Sequence, residues 1–157
     1  MDSFAAAITR EPQRTPSALL RRWFDEVWNA GRTETIDELL PPHMALWGIG
    51  RPDVCSTGSA DFKQFYHAMR AACSEIHVHI DQLVEEGDTA FARWTITMKH
   101  TGDGLGVPPT GKTISLCGMS ALRARNGEVM EGWNNWDQIG MVRQLGLLHG
   151  PAAELFR

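Results

Sequence analysis

Apolar positions recur with two different periods along this chain, and the point where the period changes divides it. From Leu19 to Trp28 the period is helical. Leu20, Phe24, Val27 and Trp28 fall at i, i+4, i+7 and i+8, with Leu19 and Trp23 beside them. Thr15-Pro16 supplies an N-cap followed by proline at the first helical position, and Gly31 a stop. Thr33 is expected to cap a short second helix carrying Ile36, Leu39 and Leu40, which Pro41-Pro42 ends. Met44 to Ile49 is a short apolar run that fits a strand. Ser59 is expected to cap a third helix with Phe62, Phe65, Tyr66, Met69 and Cys73 on one side.

Beyond this helix the period falls to two. Ile76-His77-Val78-His79-Ile80-Asp81 alternates as a half-buried strand does, and Gly87-Asp88 makes a turn. Thr89 to His100 reads as a second strand rich in β-formers, Lys112 to Arg125 as a third, and Glu128 to Asp137 as a fourth. Asn126-Gly127 predicts a type I′ hairpin turn between the last two. A helical pattern follows from Ile139 to Leu145. Helices first and long antiparallel strands after define an α+β class: one curved antiparallel sheet wrapped over N-terminal helices, a cone with an internal pocket.

Length and composition narrow this picture. The chain has 157 residues, which suits a single domain: an arm over 1–16, a domain over 17–148 and a tail over 149–157. Net charge is -4 and no Lys/Arg run is present, which argues against a nucleic-acid partner. Cys55, Cys73 and Cys117 are widely spaced and make no C-x-x-C pattern, so no zinc site or disulfide framework is expected. The apolar run Ala5–Ile8 is short for a secretory signal, and no segment has the length of a membrane span. A soluble cytoplasmic protein without a membrane partner is the expectation.

Candidate chemistry concentrates near the end. Trp133, Asn135 and Asp137 share one face of the last strand by alternation. A carboxylate beside apolar rings loses solvation, which raises its pKa and makes it a better base. The competing reading has Asp137 as the cap of the helix that follows. Six tryptophans and six phenylalanines suggest an aromatic pocket for a flat apolar ligand, with Trp94, Trp47 and Met119 expected in its lining. His77 and His79 have a spacing that could suit a metal. Their strand's other face is apolar, so they are expected to face solvent or a dimer partner, and no metal is expected. Arg93 and Arg123 could pair with Glu85 or Glu131 across strands, or hold a substrate carboxylate.

His100-Thr101-Gly102, then Gly106-Val107-Pro108-Pro109-Thr110-Gly111-Lys112, resembles a loop of the SnoaL-like polyketide cyclase (ester cyclase) family. Trp133-x-x-x-Asp137-x-x-Gly140-x-x-x-Gln144-Leu145-Gly146 resembles its closing signature, and the likeness covers roughly residues 17 to 148. The resemblance implies a cone of the nuclear-transport-factor-2-like superfamily, a homodimer formed through the sheet, and chemistry without a cofactor. It also implies an aspartate acid/base in an intramolecular aldol ring closure of a polycarbonyl substrate, which by position falls on Asp137. Donors to the enolate oxygen would then be Asn135, the Trp133 indole, His100 or Tyr66. For each there is a plainer reading: strand satisfaction for Asn135, packing for Trp133, a loop-fixing hydrogen bond for His100, a core hydroxyl for Tyr66. Relatives of this fold include hydroxylases, isomerases, epoxide hydrolases and proteins without a known reaction, so another enzyme or an apolar-ligand binder remains open. Gly132 stands where many members carry histidine, and the stretch 49–58 is unlike the family.

Overall fold

The computed structural model describes residues 14–49, 55–151 and 154. Most of the expected arm and tail, and Arg51 and Pro52 in the unusual stretch, lie outside the described residues.

Helix α1 (Pro16–Arg22) starts as expected, with the Thr15 hydroxyl accepting from Ala18 N–H. It continues as a wider π-helical segment, Trp23–Asn29, which buries Phe24, Val27 and Trp28. Helix α2 (Glu34–Leu39) forms without the expected side-chain cap from Thr33. Helix α3 (Gly58–Ala72) begins one residue before Ser59 and buries Phe62, Tyr66 and Met69. Among the described residues no helix is long and apolar enough to cross a membrane.

The sheet has six strands where four were expected. The four long ones are β3 (Cys73–Glu86), β4 (Thr89–His100), β5 (Thr113–Arg125) and β6 (Glu128–Trp136). To these are added β1 (Ala45–Trp47), inside the apolar run Met44–Ile49 that fits a strand, and β2 (Cys55–Thr57), which was not expected, and the order across the sheet is β2-β1-β6-β5-β4-β3. β1 runs parallel to β6, pairing Leu46 with Gly132 and Trp47 with Trp133. The hairpin turn at Asn126-Gly127 has positive φ at both residues, as type I′ requires. The sheet is curved and unclosed. Register shifts in β3, and one between β5 and β6, fall where bulges bend strands. The helices pack on its inner face, and Val78, Trp94, Ile96, Met98 and Leu122 are buried there.

A charged cluster ties the helices together. Glu26 accepts from Arg22 Nε at 2.8 Å and from the buried Thr35 hydroxyl at 2.7 Å, while Arg22 also reaches Glu38. The Arg22 guanidinium holds the Glu26 carboxyl below its ordinary range, with smaller help from Thr35. Because the folded value is depressed, this contribution is present above the unfolded value of 4.5 and is lost as pH falls through the folded one. Glu26→Gln is therefore expected to lower stability by about 1 kcal/mol at pH 7, with little difference from the parent near pH 3. Urea midpoints at the two pH values check it.

Candidate functional site

Between the helices and the inner face of the sheet lies a cavity of about 100 Å³. Leu19, Leu20, Trp23, Phe24 and Trp28 line its helical side, and Trp94, Leu122, Trp133, Asn134 and Trp136 its sheet side. An engineered cavity of ~150 Å³ accommodates benzene, so a multi-ring ligand requires side chains here to move. Met44, Met69 and Met98 in the lining are flexible enough to do so. Among the described residues the lining contains no ionisable side chain.

Its polar feature is a chain of three side chains. Trp94 Nε1 donates to Ser120 Oγ at 2.9 Å, and Ser120 Oγ lies 2.8 Å from Asn134 Oδ1. Ser120 pairs with Asn134 across β5 and β6 and with Ala92 across β4 and β5, so the network spans three strands. In the next row Gly118 stands between Trp94 and Trp136; a Cβ there would overlap the Trp94 ring. Glycine at 118 thus lets the indole lie across the strand and reach Ser120. The Trp136 N–H is buried with no partner among the described residues.

The face expected to line the pocket is instead the outer one. Val129 faces the core opposite Ala124, and unbroken alternation from it would turn Glu131, Trp133, Asn135 and Asp137 inward. A bulge at Met130 adds one residue: Ala124 pairs with Val129, but Arg123 pairs with Glu131. One inserted residue exchanges the two faces. Gly132, Asn134 and Trp136 therefore point to the cavity. Asn135 is exposed opposite Met119, itself 61% exposed, and neither lines the cavity. Trp133 is 36% exposed and also borders the cavity.

Asp137 is exposed and outside the lining. Its Oδ1 accepts from Gly140 N–H at 2.7 Å, capping helix α4 (Gln138–Leu145), as the plainer reading held. Gly140 is glycine because a Cβ there would collide with this carboxylate. The carboxylate thus stands toward solvent and not against the aromatic wall.

The remaining candidates disperse. His100 is fully buried, and its Nδ1 bonds the Thr110 hydroxyl at 3.1 Å and accepts from Thr110 N–H at 3.2 Å. It thereby clamps the glycine–proline loop and does not line the cavity. Tyr66 donates from its buried hydroxyl to Val27 O at 3.2 Å, and Trp47 donates to Glu131 at 3.0 Å; neither lines the cavity. Trp94 does. His77 and His79 are exposed on the outer face, Arg123 pairs with Glu131 at 2.6 Å, and Arg93 pairs with Asp81 at 3.3 Å. Gly132 lines the cavity beside Met44 and Leu46. A Cβ there would lie 3.0 Å from Met44 Cε and 3.1 Å from Leu46 Cδ1, so those side chains occupy the space.

Comparison with known proteins agrees with this architecture. The chain is 28% identical over 120 residues to the nogalonic acid methyl ester cyclase of Streptomyces nogalater, covering 76% of this chain and 89% of that one. It is 25% identical over 134 residues to the aklanonic acid methyl ester cyclase DauD of Streptomyces sp. (strain C5), covering 84% and 83%. The structure of TsrD from Streptomyces laurentii superimposes with a TM-score of 0.70 at 26% identity, covering 83% of this chain and 93% of that one. The model of the SnoaL-like polyketide cyclases matches residues 18–145, which takes in all four long strands, the cavity and helix α4: the chain belongs to that family.

Proposed function

We propose that this protein is a cyclase-type enzyme acting on a flat, carbonyl-rich small molecule, with Asp137 as its acid/base. The observation that carries the reading is the aromatic cavity with its polar Trp94–Ser120–Asn134 chain. Such a site holds an apolar ring system and orients it through few polar groups. In the proposed reaction Asp137 takes a proton from a carbon flanked by two carbonyls. The resulting enolate carbon attacks a ketone of the same molecule, and the new alkoxide takes the proton back. Asp137 has the position that family resemblance assigns, one residue beyond Trp136 of the cavity wall. The substrates of the two named cyclases, nogalonic and aklanonic acid methyl esters, are the compounds to assay. Asp137→Asn is expected to keep the fold, since asparagine caps a helix as well as aspartate, and to lower turnover of either ester by at least about a hundredfold. Turnover within a few-fold of the parent would remove Asp137 from the mechanism.

The absence of an ionisable side chain from the described lining favours a second reading, a protein that binds such a ligand without transforming it. Ligand retention without turnover by the unmodified chain would decide for it.

The proposal includes assembly as a homodimer through the outer sheet face. One row of paired residues there, Val84–Phe91–Ala121–Trp133, is apolar across four strands. The rows beside it carry Arg93, Met119 and Asn135 on one side and Arg123 and Glu131 on the other. An apolar strip with a polar rim has the anatomy of an interface.

A further inference from the structure

We infer that Asn134 is the specificity-determining donor of this cavity, and that its Nδ2–H groups select a ligand by a carbonyl oxygen. The inference rests on the cavity being a ligand site, as proposed above, and assigns the group that reads the ligand.

The direction of the polar chain gives the argument. An indole N–H can only donate, so Ser120 Oγ must accept from Trp94. A serine hydroxyl has one hydrogen, and Asn134 Oδ1 stands 2.8 Å away to receive it. The reversed amide would leave the hydrogen of buried Ser120 without this acceptor. Trp94 thus fixes the amide through Ser120, with the oxygen held and Nδ2 left over. Nδ2 has no partner among the described residues, and Asn134 lines the cavity.

Most of the lining is hydrocarbon or indole. A ligand that excludes water from Nδ2 must therefore bring its own acceptor, or leave two amide hydrogens unsatisfied. A carbonyl oxygen does this with no hydrogen of its own to place. In ring-closing chemistry the same donor would strengthen its bond as the carbonyl oxygen gains enolate charge. Asn134 would then both orient the substrate and stabilise the anion.

The test uses two probes of one shape, 1-tetralone and tetralin, which differ by one carbonyl, titrated calorimetrically into the full chain. The unmodified protein is expected to bind the ketone about tenfold more tightly, the size of one well-placed neutral hydrogen bond. Asn134→Leu, which keeps the volume and removes the donor, should abolish the preference and leave tetralin affinity within about threefold. Asn134→Asp keeps an acceptor for Ser120 but has no N–H and should also abolish it. Ser120→Ala releases the amide and should narrow it. If the leucine variant misfolds, the aspartate and Ser120 variants decide. Equal binding of the two probes, or a preference that survives loss of the amide, overturns the assignment and leaves the ligand site standing. Binding of neither probe overturns the ligand site and the assignment with it. None of these readouts depends on turnover or on Asp137.

Discussion

Gly48→Ala is expected to lower the melting temperature by about 10 °C and to erase the ketone preference of the cavity. Gly48 follows β1 with φ +77°, a conformation that glycine adopts freely and alanine does not. A Cβ there would also collide with the backbone oxygen of Asn134. The obstacle is main chain, with no rotamer to turn aside, so the turn after β1 and strand β6 must separate. Together the two effects amount to about 3–4 kcal/mol. The displaced residue is the one whose amide reads the ligand, so site and stability should fail together. Gly87→Ala provides the control. Its φ is +60°, but nothing lies within 4 Å of the added carbon, so it should show only the backbone term, about 1 kcal/mol and about 3 °C. Calorimetric melting of the two variants separates the contributions. Equal small shifts would mean that the turn gives way easily and that Gly48 does not hold Asn134 in place.

The same contact bears on what was legible in the sequence. Thr15-Pro16, the period of Leu20, Phe24, Val27 and Trp28, and the Asn126-Gly127 turn are local signals, and each is realised at its expected position. β1 and β2 have three residues each and exist through pairing: β1 is held by β6, more than eighty residues later, and by β2. The apolar run Met44–Ile49 signals the strand at β1 but not its partner, whose hydrogen bonds lie so far along the chain, and nothing in the sequence announces β2. The site shows a subtler limit. Alternation correctly groups Trp133 with Asn135, but which face is inside depends on the helices, and the bulge at Met130 reverses the count from the hairpin. Asn134 and Trp136 were therefore missed, although the same count started on the other side of the bulge finds both. The paired apolar residues Val129 and Ala124 beside the turn would mark the core face as far as the bulge. Gly118 was the remaining signal, since a glycine inside a strand pattern marks a close approach, here the Trp94 ring.

Phe91→Asp is expected to turn the proposed dimer into a monomer at micromolar concentration, weakening association by about a thousandfold. Phe91 is 56% exposed at the middle of the apolar row, between Val84 and Ala121, with Trp133 beyond. A two-fold interface presents each residue twice, so one substitution introduces two carboxylates into the dry centre of the contact. At about 2 kcal/mol for each uncompensated charge, the loss is about 4 kcal/mol, or about a thousandfold in the dissociation constant. The protomer should be nearly unaffected, because the side chain already stands largely in solvent there, and its melting curve at low concentration should match the parent's. Phe91→Leu keeps an apolar centre and should keep the dimer. Light scattering across a dilution series measures all three proteins. A parent chain already monomeric at high concentration would overturn the dimer, and a dimer indifferent to the aspartate and leucine substitutions alike would move the interface away from this face. The exposed row would then have to be explained by its own chemistry: Val84, Phe91 and Trp133 form a continuous apolar strip that a monomer has no evident reason to keep in water.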